Sequence, residues 1–212
     1  FSVSSGVDNL LNDPSLPDIP IVRVKSPDMV SLMQEYVTYQ VIRIHRGFKF
    51  IEFQQISSEW KWYPPSNTAS TCRVSILGLG HLGMACAQAL KALGFQVFGW
   101  SKSPKELDGI HFDHGSSGLK RILAQSDILI CLLPLTKATK GILNADLFSR
   151  LPFGASIINV GRGECLVESD LIVALNNKQI SSATLDVFEN EPLPKESILW
   201  KFLEITITPH LA

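Results

Sequence analysis

Two groups of residues in this sequence have types and spacing suited to chemistry. The first is the turn Gly78-Leu79-Gly80-His81-Leu82-Gly83, which follows the apolar run Val74-Ser75-Ile76-Leu77 and opens a stretch ended by Gly94. Such a glycine pattern is informative when a strand precedes it and a helix follows it. Its first glycine permits a tight turn, its second lets main chain approach a pyrophosphate, and its third lets helix pack on strand. Main-chain N–H groups and the helix dipole then face an anion, with His81 there for its backbone more than its ring. A glycine turn without a ligand is the plainer alternative, and the flanking elements argue against it.

The second group lies just after later apolar runs: Arg162 between two glycines, Asp186, Glu191 before Pro192, and His210 after Pro209. An arginine fork clamps a carboxylate or a 2-oxo acid better than a lysine can. Hydride transfer to a ketone carbon leaves an alkoxide that needs a proton, and His210 is the candidate acid. Glu191 is placed to hydrogen-bond the His210 ring and keep its proton until needed. A loop acid before proline and a structural strand-end histidine explain the same spacing equally well. His45, His111 and His114 read as surface or helix residues.

The elements that must position these groups are legible from residue 73 onward. Strands are expected at 74–77, 96–99, 128–132, 156–160, 183–187 and 204–208, with helices at 82–93, 119–124, 145–150 and 168–175. Strand–helix alternation implies an α/β fold, a Rossmann-type doubly wound parallel sheet with right-handed crossovers. Ligands of such sheets bind outside the carboxyl ends of the strands, where both groups fall. Upstream, Pro27 is suited to the first turn of a helix running from about Asp28 into the Phe50 region. Trp60–Pro65 breaks regularity, and Ser66–Thr71 reads as a linker.

An NAD-preferring site would place an acid about twenty residues after the glycine turn, at the end of the second strand. This sequence has Trp100-Ser101-Lys102-Ser103 there, and Glu106 and Asp108 lie beyond Pro104. A cation and two hydroxyls suit a ribose 2′-phosphate through charge-assisted bonds. NADP(H) is therefore expected to be preferred, with NAD(H) possible; an ordinary solvated Lys102 is the alternative.

Bulk properties narrow the field. With 45% hydrophobic and 18% charged residues the chain should form a core. A formal net charge of −1 and the lack of a basic stripe give no reason to expect a nucleic-acid partner. Cys72, Cys86, Cys131 and Cys165 contain no C-x-x-C pair, which argues against a zinc cluster and suits a reducing, cytoplasmic setting. No membrane span or signal peptide is expected. The chain begins with Phe1, and it reads as a fragment.

Three ordered stretches resemble the D-isomer-specific 2-hydroxyacid dehydrogenase family: Asn159-Val160-Gly161-Arg162-Gly163-Glu164, Leu185-Asp186-Val187-Phe188-Glu189-Asn190-Glu191-Pro192-Leu193-Pro194, and Thr208-Pro209-His210. Trp100–Ser103 and Gln34-Glu35-Tyr36 look most like its glyoxylate/hydroxypyruvate reductase A branch. The resemblance covers nearly the whole chain. It implies that Arg162 binds the substrate's carboxylate and carbonyl, that His210 is the acid/base, and that Glu191 is its partner. Asp186 is similar to the acid that contacts the nicotinamide carboxamide, and Leu133-Pro134 to the cofactor-contacting strand end. Val160 and Gly161 are likewise expected beside the cofactor. Ser5-Gly6-Val7-Asp8 resembles the loop whose amides meet the substrate carboxylate, and Trp60–Pro65 the loop that helps form a homodimer.

The implied organisation is part of a flavodoxin-like substrate domain at 1–26, a connecting helix and dimerisation loop at 27–70, and the NAD(P)-binding domain at 71–212. The family's returning C-terminal segment is not in this sequence, so these residues by themselves are expected to be inactive or weakly active. A phosphoglycerate-type dehydrogenase or a nucleotide-sensing corepressor would share the fold. The cofactor expectation has a direct check: the Michaelis constant for NADPH should be lower than that for NADH, and a clear NADH preference would sink it.

Overall fold

The computed structural model describes residues 15–17, 21–22, 26–62, 67–104 and 110–212. Seven strands, β1 (Arg73–Leu77), β2 (Gln96–Ser101), β3 (His111–His114), β4 (Ile128–Cys131), β5 (Ala155–Asn159), β6 (Ile180–Leu185) and β7 (Ile205–Ile207), form one sheet. Its order is β3-β2-β1-β4-β5-β6-β7, with all pairs parallel. The chain winds outward from β1 to β3, then returns to the other side of β1 as β4. That reversal opens a crevice outside the carboxyl ends of β1 and β4, the place where doubly wound sheets take ligands.

Among the described residues the α-helices are α1 (Pro27–His45), α2 (Phe48–Ile56), α3 (His81–Ala92), α4 (Gly115–Leu123), α5 (Ala145–Ser149) and α6 (Glu168–Asn176). Alternation along each strand divides the core between two faces. Val74, Ile76, Val97, Ile130 and Ile158 pack with Met33, Val37 and Val41 of α1 and with Cys86, Ala87 and Leu90 of α3. Leu77, Trp100, Leu129, Cys131 and Ile157 pack on the other face with Ile122, Phe148 and Leu171 of α4, α5 and α6. Every residue of β4 and β5 is buried, as helices on both faces of a parallel sheet require.

Two local expectations are corrected. The helix expected to run from Asp28 into the Phe50 region is two helices. It starts as expected, with Pro27 in the first turn and the Ser26 hydroxyl accepting from the Asp28 N–H, but Gly47 at φ +64° turns the chain between α1 and α2. Apolar spacing continues through the break, so periodicity alone does not register a left-handed stop. Strand β3 was not expected, and it makes His111 and His114 the ends of an edge strand. His-Phe-Asp-His has no β-branched residue to announce it. Its structure comes from pairing with β2, with Phe98 opposite His111 and Ser101 opposite His114. Within the expected linker, Ala69–Thr71 forms a short 3₁₀ turn.

The three glycines of the first turn differ in what a side chain there would meet. Gly78 has φ +103°, and a Cβ there would lie 2.7 Å from the Leu132 carbonyl oxygen. A Cβ on Gly83 would lie 2.1 Å from the Gly78 carbonyl oxygen, so this glycine sets how closely α3 meets the turn. A Cβ on Gly80 would meet no atom within 4 Å. Chemical denaturation should therefore separate two substitutions. Gly83→Ala should cost about 2–4 kcal/mol through main-chain displacement. Gly80→Ala should cost no more than about 1 kcal/mol, the loss of a tolerated N-cap; equal losses would contradict this account.

Candidate active site

A cleft of about 300 Å³ lies at the reversal point of the sheet. Gly80, His81 and Leu82 form one wall, Leu132–Pro134 after β4 another, and Val160–Arg162 after β5 a third; His210 and Ala212 close it, and Met29 and Met33 of α1 line its far side. Nine residues singled out from the sequence thus meet in one place: Gly80, His81, Leu82, Leu133, Pro134, Val160, Gly161, Arg162 and His210. Gly78 and Gly83 support the turn from behind. Trp100–Ser103 stand farther along the same edge, at the end of β2. Ser5 and Gly6 lie outside the described residues.

Arg162 owes its position to a buried amide. Asn159, fully buried at the end of β5, donates through Nδ2 to the Arg162 carbonyl at 3.1 Å and accepts from the Gly161 N–H at 3.2 Å. The flanking glycines meet neighbouring main chain. A Cβ on Gly161 would lie 2.7 Å from the Leu133 carbonyl oxygen, and one on Gly163 would lie 1.8 Å from the Phe188 carbonyl carbon. Main-chain segments following β4, β5 and β6 therefore cross at contact distance under the cleft. The half-buried Arg162 guanidinium donates to the Gly161 carbonyl at 2.7 Å.

The His210 ring and the Glu191 carboxylate are joined, Nδ1 to Oε2, at 2.7 Å. The other Glu191 oxygen accepts from the Phe188 N–H at 2.9 Å, which anchors the carboxylate to the loop. A carboxylate only accepts, so Nδ1 carries the hydrogen in this pair and Nε2 remains for another partner. In the neutral ring Nε2 is an acceptor, and in the protonated ring a donor. Half of the histidine side chain is exposed, on the cleft wall.

His210 has φ +55°, a left-handed conformation uncommon for a residue with a side chain. Its N–H donates to the Asp186 carbonyl at 2.9 Å. The Asp186 carboxylate, 1% exposed, receives the Leu211 N–H at 2.9 Å, the Ala212 N–H at 2.8 Å and the Thr208 hydroxyl. With its single proton given to Asp186, Thr208 accepts from Tyr36 Oη at 2.6 Å. Burial pushes the Tyr36 phenol up to about 12, so it keeps the proton it donates. Asp186 accordingly sits beneath the cleft rather than on its wall.

Asn159, Thr208 and Tyr36 were not singled out as functional positions. Asn159 stands out as a lone amide within the largely apolar run Ser156–Val160. Thr208 and Tyr36 belong to stretches that carry the resemblance, but nothing local announces their pairing, which spans 172 positions. At the end of β2, Trp100 Nε1 donates to the Gly115 carbonyl at 2.8 Å and the Ser101 hydroxyl to the Ser103 carbonyl at 2.6 Å, while Lys102 is exposed. After β4, the Thr139 hydroxyl donates to the Pro134 carbonyl at 2.6 Å and fixes that loop.

A larger hollow of about 680 Å³ lies between the α1–α2 elbow and β5–β7, and it shares no residue with the cleft. Among the described residues, no cluster of three or more His, Cys, Asp or Glu side chains could hold a metal ion, and no helix is long and apolar enough to cross a membrane. The four cysteines are buried and unbridged.

Comparison with known proteins gives the family to which this fold belongs. Residues 38–212 match the family model for the NAD binding domain of D-isomer specific 2-hydroxyacid dehydrogenases. Glyoxylate/hydroxypyruvate reductase A of Serratia proteamaculans is 41% identical over 218 aligned positions, which take in all of this chain and 69% of that protein. The crystal structure of a D-isomer specific 2-hydroxyacid dehydrogenase from Xanthobacter autotrophicus Py2, in complex with NADPH and MES, superposes with a TM-score of 0.94. It is 44% identical, over 98% of this chain and 85% of that one. The NADPH-dependent glyoxylate/hydroxypyruvate reductase of Sinorhizobium meliloti, in complex with NADP and sulfate, gives 0.92 at 38% identity, over 97% of this chain and 66% of that one. The chain belongs to the D-isomer specific 2-hydroxyacid dehydrogenase family of NAD(P)-dependent oxidoreductases and carries that family's NAD binding domain.

Proposed function

We propose that this protein uses NADPH to reduce a small 2-oxo acid, of the glyoxylate or hydroxypyruvate kind, to the 2-hydroxy acid. The observation that carries this reading is the His210–Glu191 pair on the wall of a cleft shared with Arg162. The cofactor's pyrophosphate fits at Gly80, where a side chain would meet no protein atom and the N-terminus of α3 begins. Ser101, Lys102 and Ser103 would hold the 2′-phosphate. The relatives bound to NADPH and NADP support that choice.

The nicotinamide, when bound, supplies the hydride. Arg162 binds the substrate carboxylate with two parallel N–H donors and draws electron density from the adjacent carbonyl. Protonated His210 gives its Nε2 proton to the carbonyl oxygen as negative charge develops there. Glu191 holds the ring by Nδ1, so that Nε2 faces the substrate and the charged ring has a counter-ion. In the oxidative direction neutral His210 takes the hydroxyl proton. On this reading residues 71–212 are the cofactor domain, 27–70 the connecting helix and dimerisation loop, and 1–26 part of the substrate domain, in a cytoplasmic homodimer.

The dimer would use the apolar ridge of α2 and its following loop. Phe53 is 49% exposed, Ile56 82% and Trp60 102%, apolar side chains of the kind that a partner surface covers. The ridge borders the larger hollow, which would receive side chains from a second copy.

Two measurements test these readings. In the whole protein, His210→Gln should lower kcat by about 10²–10⁴-fold with the cofactor dissociation constant unchanged, and Glu191→Gln should lie between that variant and the parent. A variant that keeps its turnover would remove His210 from the chemistry. Replacing Phe53 and Trp60 together by Glu should shift the mass in sedimentation from dimer to monomer; an unchanged mass would move the interface elsewhere.

A further inference from the structure

Beyond β2, the edge of the sheet carries a basic side chain with no part in the chemistry above. Register and alternation fix where it lies. β3 pairs with β2 so that Phe112 is opposite Gly99 and His114 opposite Ser101. Gly99 faces the glycine turn, since a Cβ there would lie 2.0 Å from Leu79 Cδ1. Successive residues alternate, so Ser101 faces the same side. Phe112 packs in the cluster that contains Leu79, and the His114 ring stacks on the Phe112 ring with centroids 6.2 Å apart and planes 13° apart. The intervening residues point the other way: Trp100 bonds Gly115, and Asp113 bonds Arg121 of α4. His114 is therefore exposed at the carboxyl end of β3, beside Ser101 and on the side of Gly78–Gly83.

We propose that His114, with Ser101 and Lys102, reads the ribose 2′-phosphate, so that its protonated form strengthens selection of NADPH over NADH. This rests on the NADP(H) reading given under the proposed function. An imidazolium beside a phosphate makes a charge-assisted bond, and an exposed pair of that kind changes affinity by about two- to fivefold.

The charged and titratable groups around His114 come from each neighbouring element. Lys102 follows β2. Asp113 precedes His114 on the opposite face; its carboxylate accepts from the His114 N–H at 2.9 Å, and hydrogen bonds from Arg121 hold it below the usual carboxylate range. Arg121 is therefore engaged away from the proposed site. His111 stacks on Phe98 at the far end of β3, and His81 begins α3. Lys105, Glu106 and Asp108 lie outside the described residues.

Fluorescence titration of cofactor binding, without turnover, tests the proposal at pH 6 and pH 8. The 2′-phosphate titrates near pH 6 itself, so the reading is the ratio of variant to parent at each pH. His114→Gln should weaken NADPH about two- to fivefold at pH 6 and leave it unchanged at pH 8, with NADH unaffected at both. His114→Arg, which keeps a charge, should bind NADPH more tightly than the parent at pH 8. A parent that prefers NADPH, with His114→Gln matching it at both pH values, overturns the role of His114 and leaves the cofactor reading standing. Equal weakening of both cofactors assigns the residue to packing and overturns it too. A parent without NADPH preference at either pH overturns the cofactor reading, and this proposal with it.

Discussion

A carboxylate removed from water must be supplied with hydrogen-bond donors or give up its charge. Asp186 meets that demand with the chain that carries His210. Its oxygens take the Thr208 hydroxyl and the N–H groups of Leu211 and Ala212, and its own carbonyl takes the His210 N–H. Histidine is thereby held in a left-handed backbone conformation that costs about 1–2 kcal/mol for a residue bearing a side chain. The ring that meets Glu191 is aimed by this wrapping, so the geometry of the cleft depends on a residue that does not line it.

The other walls are set by main chain meeting main chain. Gly78 against Leu132, Gly161 against Leu133 and Gly163 against Phe188 bring the loops after four adjacent strands into contact at one edge of the sheet. Side chains at those positions would push the walls apart. Gly80 differs from its neighbours because nothing in the protein crowds it, which suits a position whose constraint comes from a bound phosphate. Polar anchors such as Asn159 then hold the short loops in one arrangement.

Much of this was legible in the residues themselves. The glycine turn, the apolar runs and the polar residues following them placed six of the seven strands and most residues of the cleft at their carboxyl ends, because parallel strands buried on both faces write themselves as continuous apolar segments. The pairing of Glu191 with His210 could be anticipated from type and order, and the structure gives its distance. What could not be read had two physical sources. Gly47 acts through a local left-handed turn inside an otherwise helical pattern, and β3 is a strand because β2 pairs with it. Tyr36, Thr208 and Asp186 form one chain of hydrogen bonds across most of the sequence, and no local pattern reports such a contact.

That long bond also bears on how the molecule is made. A ribosome delivers residues in order, at about 5–20 per second. Tyr36 therefore emerges well before Thr208, its partner 172 positions later. During that interval α1 can pack on the growing sheet, while its phenol waits for the segment that orients His210. A nascent chain can thus form its glycine turn early, yet the His210 ring has no fixed position until β7 has docked. The walls of the cleft are therefore completed at different times, in the order in which the sequence delivers them.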